Sequence, residues 1–135
     1  MKRIQALYKE INAVVKAGKL KKESRKCTLH GGSFEIDGML FKDQNGVVRK
    51  YVIEAGSGDS VGHVGYYYDS RGTPRFTYRT RSSFNGTKKW DHIFFDEKGV
   101  HLYTSHKQEG PGIPGSDLWD VIENPTAHYA NLCKE

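Results

Sequence analysis

The sequence predicts an α+β fold: an N-terminal helix packed on a curved six-stranded antiparallel β-meander, with short helices at the C-terminus. Two observations carry this prediction, an amphipathic stripe near the N-terminus and three copies of a D-x-x-G motif between β-like segments. The chain has 135 residues, of which 36% are hydrophobic. That is enough to bury a core without a metal or a dense disulfide framework. We therefore expect one domain spanning residues 1–135.

The first element is a helix over Lys2–Ala17. Its apolar residues recur at the spacing of one helical face, namely at Ile4, Leu7, Tyr8, Ile11, Val14 and Val15. Gly18 follows, and glycine is the usual left-handed residue that ends a helix. The lysine-rich stretch after it is expected to be a polar connector, and the helix is expected to pack on one face of the sheet.

The three D-x-x-G motifs predict three β-hairpins. An aspartate at the first turn position accepts a backbone N–H, and a glycine at the fourth adopts positive φ. This is typical of a type I turn with a G1 bulge. The motifs lie at Asp43–Gly46, Asp69–Gly72 and Asp96–Gly99, between predicted strands over 38–42 and 47–54, 61–68 and 74–81, and 90–95 and 100–105.

The C-terminal segment is predicted to hold two short helices. Ser116 is a suitable N-cap for a helix through Glu123, and Asn124 with Pro125 begins a last helix that reaches about Lys134. The apolar anchors of this tail are expected to be Trp119, Ile122, Tyr129 and Leu132.

Basic charge is concentrated at the N-terminus. Residues 1–27 hold nine basic and two acidic residues, a net charge of +7, whereas the remaining 108 residues carry −2. A nucleic-acid-binding domain normally spreads basic charge over a folded surface. We therefore interpret the cluster as a solvated face and do not expect nucleic acid as the partner.

The middle hairpin provides the candidate binding surface. If its register follows the turn, residues whose numbers add to 142 face each other, and His63, Tyr67, Arg75 and Arg79 share the face opposite an apolar one. No acidic residue occurs from Ser70 to Trp90, so this face is expected to be positive. Arginine forks and a phenol suit an acidic protein, a glycan or a small anion. The alternative is an exposed strand that charge keeps from edge pairing.

No catalytic motif is present in the sequence: G-x-S-x-G, H-E-x-x-H, G-x-G-x-x-G, C-x-x-C and a phosphate-binding loop are all missing. We therefore assign no catalytic residue and expect no cofactor. The same register places His92 and His106 on one face of the third hairpin. Two histidines do not make a metal site, because three or four protein ligands are usual.

The N-terminal run from Ile4 to Asn12 and the hairpin from Gly65 to Tyr78 resemble a loose group of bacterial extracytoplasmic proteins, mostly uncharacterised. These have a helix of the type I-x-x-x-Y-x-x-I-N and hairpins of the type Y-Y-x-D-x-x-G-x-L-x-F, and the similarity covers about residues 4–105. The hairpins are also similar to the Y-Y-F-D-x-x-G repeats of cell-wall-binding modules. The resemblance implies a periplasmic or secreted protein, although the N-terminus lacks the apolar core of a signal peptide.

The two cysteines, Cys27 and Cys133, fit that implied compartment. An even pair in a small protein that resembles secreted ones is expected to form a disulfide, whereas in the cytosol the same pair stays reduced. No apolar run approaches the length of a membrane span.

Together these features lead us to expect a non-enzymatic extracytoplasmic binding or protein-interaction module that uses the aromatic and basic middle hairpin. The alternative is a small basic enzyme, or a nucleic-acid or polyanion-binding domain, that uses the same Tyr/Arg face. The sequence predicts no oligomeric state.

Overall fold

The computed structural model describes residues 2–58, 60–111 and 121–134. Its elements, in chain order, are α1 (Lys2–Lys16), β1 (Lys21–Leu29), a 3₁₀ turn (His30–Gly32), β2 (Phe34–Lys42), β3 (Val48–Gly56), β4 (Ser60–Tyr68), β5 (Pro74–Ser83), β6 (Lys88–Phe95), β7 (His101–Glu109) and α2 (Pro125–Ala130).

The strands form one antiparallel sheet in the order in which they occur along the chain. The predicted α+β class and the antiparallel meander are thus confirmed, but the described sheet has seven strands rather than six. The extra strand is β1, in the segment expected to be a polar connector. Its side chains alternate between exposed and half-buried positions, with Cys27 and Leu29 packed against the core. Charges on the outward positions concealed this alternation.

All three D-x-x-G turns have the predicted geometry. In the middle one, Asp69 N–H donates to the Thr73 carbonyl and Gly72 N–H donates to the Asp69 carbonyl, each over 3.0 Å. The Asp69 carboxylate accepts two further backbone N–H groups, and Gly72 has a φ of 84°. Ser83 begins a fourth turn with the same two backbone bonds.

The sheet is packed on both faces, as neighbouring tyrosines of β4 show. Tyr66 and Tyr68 belong to one apolar cluster, and Tyr67 between them belongs to another. Because successive side chains of a strand point to opposite faces, the two clusters lie on opposite sides. We call them the α2 face, which packs Tyr129 and Leu132, and the α1 face, which packs Ile4 and Ile11 of the N-terminal helix.

The C-terminal helix begins where the sequence predicts it. The Asn124 side chain accepts the Ala127 N–H over 3.0 Å, and Pro125 occupies the first turn. The helix ends at Ala130 and not near Lys134, and turns continue the chain. Of the helix predicted from Ser116, residues 116–120 lie outside the described residues, and 121–123 are not helical. Among the described helices, none combines the length and apolar character needed to cross a membrane.

Candidate functional site

The four residues predicted to share the surface of the middle hairpin do not share one face. Tyr68 faces Pro74 as expected, but Tyr67 faces Phe76 and His63 faces Thr80. A bulge at this point inserts one extra residue into β5, and a shift of one residue exchanges the two faces of a strand. The predicted register is therefore wrong beyond the turn.

Two of the four lie on the α1 face, in different surroundings. Tyr67 is buried under α1, where its hydroxyl donates to Asn12 Oδ1 over 2.8 Å. Burial raises the pKa of this phenol. His63 is partly exposed, and its Nδ1 lies 3.2 Å from Glu54 Oε1.

The two arginines are each paired with a carboxylate. Arg79 is buried on the opposite face from Tyr67, and its Nε donates to Asp91 Oδ2 over 2.8 Å. Arg75 lies in the bulge, 3.7 Å from an Asp69 oxygen. The segment from Ser70 to Trp90 contains no acidic residue, but the carboxylates that pair with these side chains come from outside it, at Glu54, Asp69 and Asp91. They neutralise the positive charge that was expected to be exposed.

A bulge of the same kind in the third hairpin shifts the pairing of β6 with β7 by one residue and separates its two histidines. His92 faces Ser105, and His106 faces Asp91 on the neighbouring row, so the histidines point to opposite faces of the sheet. His106 Nδ1 forms a hydrogen bond with the buried Asp91 carboxylate. Within the described ranges, no three His, Cys, Asp or Glu side chains are grouped in a way that suits a metal ion.

A polar cluster lies between α1 and the sheet. Lys50 Nζ donates to Asn12 Oδ1 over 2.8 Å, and the same amine lies 5.0 Å from the centre of the Tyr67 ring. Burial lowers the pKa of Lys50. Since Asn12 accepts from both Lys50 and Tyr67, these groups satisfy one another and hold α1 in place.

A concavity lies on the α2 face, between β1 to β3 and the described C-terminal segment. It has a volume of about 660 Å³, within the range of about 300–1,000 Å³ usual for small-molecule sites. Its floor and walls are largely aliphatic and aromatic. These apolar lining residues are Leu29, Phe34, Ile36, Ile53, Ala55, Val121, Ile122, Ala127 and Leu132.

One side of the cavity is polar and comes from α2 and the residues around it. Asn124, His128, Asn131 and Lys134 line this side. The Tyr51 hydroxyl lies 2.8 Å from His128 Nδ1, and burial lowers the pKa of this imidazole. The cavity therefore combines an apolar body with hydrogen-bonding groups and a cation.

The C-terminal segment that closes the cavity is attached to the sheet at two points on β1. A disulfide joins Cys27 to Cys133, with a Cα–Cα distance of 5.8 Å. Arg25 Nη1 donates to the backbone carbonyls of Tyr129 and Ala130 over 3.2 and 2.9 Å. The wall of the cavity is thus held in place by a covalent bond and by hydrogen bonds.

Sequence reasoning missed this cavity because it treated β1 as a connector. The signal was present in the alternation of Arg25, Cys27 and Leu29, which marks a strand with one buried side. Comparison of the chain with protein-family models, with curated proteins and with solved structures gave no match.

Proposed function

We propose that the protein is a non-enzymatic extracytoplasmic binding module whose ligand site is the cavity on the α2 face. The ligand class is an amphipathic small molecule with an apolar body and a carboxylate head. The observation that carries this proposal is a cavity of about 660 Å³ with an apolar lining and one polar side.

The apolar lining of the cavity supports a ligand with an apolar body. Leu29, Phe34 and Ala55 are only half-buried, so part of their apolar surface is still available for a ligand to cover. Burying apolar surface contributes about 25 cal/mol per Å².

The polar residues of the cavity lining support a ligand with a carboxylate head. Lys134 supplies a positive charge, and the polar residues Asn131 and His128 also line the cavity. A carboxylate pairs favourably with a cation and with N–H donors. An apolar chain with an anionic end therefore matches both halves of the cavity.

The disulfide supports the proposed extracytoplasmic location. Cys27 and Cys133 are bonded, and such bonds persist in oxidising compartments and are rare in the cytosol. This agrees with the periplasmic or secreted location that the sequence resemblance implies. The four predicted residues of the middle hairpin do not support a binding surface, since His63, Arg75 and Arg79 are paired with carboxylates and Tyr67 is buried.

Isothermal titration with decanoate, below its micelle concentration, tests the site. Ala55→Phe fills the cavity, and Glu54→Phe is the matched control, since Glu54 is the preceding residue of β3 and is exposed on the other face. We expect Ala55→Phe to weaken binding at least about tenfold and Glu54→Phe to leave affinity within about twofold. Absence of decanoate binding by the wild-type protein, or equal affinity in both variants, would contradict the proposal.

A further inference from the structure

The last strand, β7, is an exposed edge of the sheet. In the part of the chain that the structure describes, only β6 pairs with it. Most of its residues are exposed, and the side chains include Leu102 and Tyr103, at 53% and 52% relative exposure. An edge of this length that carries apolar groups can pair with another strand.

The two edges of the sheet differ in how they are protected. The β1 edge has four basic residues and one acid in nine positions, and charge of one sign keeps copies of an edge apart. The β7 edge has one lysine and one glutamate in nine positions and contains no proline. Only β1 therefore carries the charges that prevent self-association.

The hairpin repeat also points to a missing neighbour of β7. Arg49 and Arg75 stand six residues after the start of their D-x-x-G turns, and each donates Nε to a carbonyl of the next strand, at Tyr68 and Phe95 respectively. The equivalent residue of the third repeat is Leu102, which lies exposed on β7. The position that contacts the next strand in two repeats is thus apolar and uncovered in the third.

The β7 sequence is complementary to itself. In an antiparallel pair centred on Ser105, Tyr103 faces Lys107 of a second copy. This favourable pair occurs twice by symmetry. Lys107 Nζ already lies over the Trp90 ring, at 5.2 Å from its centre, on the face of the sheet to which Tyr103 also points.

We propose that β7 is a homodimer interface, in which a second copy adds its own β7 antiparallel to the first and extends the sheet across both copies. The contact is isologous and closes with two-fold symmetry. Main-chain hydrogen bonds join the edges, and the Tyr103 to Lys107 pairs set the register.

Sedimentation equilibrium of the wild-type protein and of two charge variants tests this interface. The wild-type mass is expected to rise from one chain to two between about 1 and 500 µM. Tyr103→Lys faces Lys107 of the second copy and is expected to raise the dimer dissociation constant at least about tenfold. Thr28→Lys, on the exposed side of β1, is the matched control and is expected to leave the dimer intact.

A mixture of variants tests the register even if one variant associates weakly for other reasons. When a Lys107→Glu copy pairs with a Tyr103→Lys copy, the introduced carboxylate faces the introduced amine, while the second pair stays as in the wild type. We expect this mixture to recover dimers that Tyr103→Lys alone does not form. A wild-type protein that stays monomeric over the whole range, or a mixture no more associated than its components, would overturn the proposal.

Discussion

Gly38 on β2 lies directly against Leu132, whose side-chain carbon occupies the space that a Cβ at position 38 would need. The next nearest group is the Tyr129 ring, at 3.4 Å from that Cβ position. The glycine therefore lets the C-terminal segment approach the sheet backbone closely. Its contact with Leu132 fixes how deeply the wall of the cavity is seated.

Gly38→Ala is expected to push Leu132 outward and to lower the free energy of unfolding by about 1–3 kcal/mol, because added volume in a packed region forces side chains from their positions. Gly65→Ala on β4 is the control, since its Cβ would meet only the Tyr67 ring at 3.4 Å. Chemical denaturation of both variants measures the difference. Equal losses would show that the contact with Leu132 is not tight.

Removal of the disulfide is expected to loosen the C-terminal segment. The bond spans 106 residues, and closing a loop of about 100 residues stabilises the folded state by up to about 4.7 kcal/mol in chain-entropy accounts. Replacing Cys27 and Cys133 by alanine should therefore cost about 3–5 kcal/mol in thermal or chemical denaturation. Thiol titration of the unreduced wild-type protein in denaturant is the check, and two free thiols would contradict the bond.

Asp91→Asn is expected to destabilise the protein strongly, because it removes the charge of the buried carboxylate that pairs with the Arg79 guanidinium. The side chains of Arg79 and Asp91 are 8% and 6% exposed, and breaking a buried ion pair costs about 3–5 kcal/mol. Glu54→Gln is the comparison, since Glu54 and His63 are 51% and 38% exposed. That variant should change the free energy of unfolding by at most about 1 kcal/mol; similar losses in both variants would refute the buried pair.

Acid is expected to destabilise the protein through His128. Burial lowers the pKa of this imidazole in the folded state, so the unfolded chain, with a histidine pKa of about 6.5, takes up the proton first. The stability contributed by neutral His128 is complete above that pH and falls as the pH drops toward the folded pKa. Denaturation curves between about pH 7.5 and 5 should show a smaller decline in His128→Gln, and an unchanged decline would exclude this cause.

The sequence predicts the turns of this fold well, and the register in which neighbouring strands pair less well. The turn at Asp69 to Gly72 depends on two residues and their immediate backbone, so its chemistry is readable from the motif. The bulge that follows it, where Arg75 Nε meets the Phe95 carbonyl over 3.3 Å, recurs after all three D-x-x-G turns, but the four letters of the motif do not encode it. No local rule specifies that contact, and one inserted residue was enough to move Arg79 from the predicted surface into the interior.

The cavity is a second feature that could not be predicted from the sequence. Its walls come from β1 to β3 and from the C-terminal segment, which are distant in the sequence and are joined by the Cys27–Cys133 disulfide. The pairing of the cysteines was expected from their number and from the resemblance. Which surfaces they bring together depends on β1 being a strand, and the lysines of β1 mask its alternating pattern.

Nuclear magnetic resonance mapping of decanoate on the wild-type protein tests whether the cavity on the α2 face is the ligand site. We expect saturable shifts at Leu29, Ile53 and Ala55 and at α2 residues that line the cavity, including His128. The middle hairpin, represented by His63 and Arg75, should not shift. Shifts concentrated on that hairpin, or no saturable shifts at the cavity, would contradict the assignment of the cavity as the ligand site.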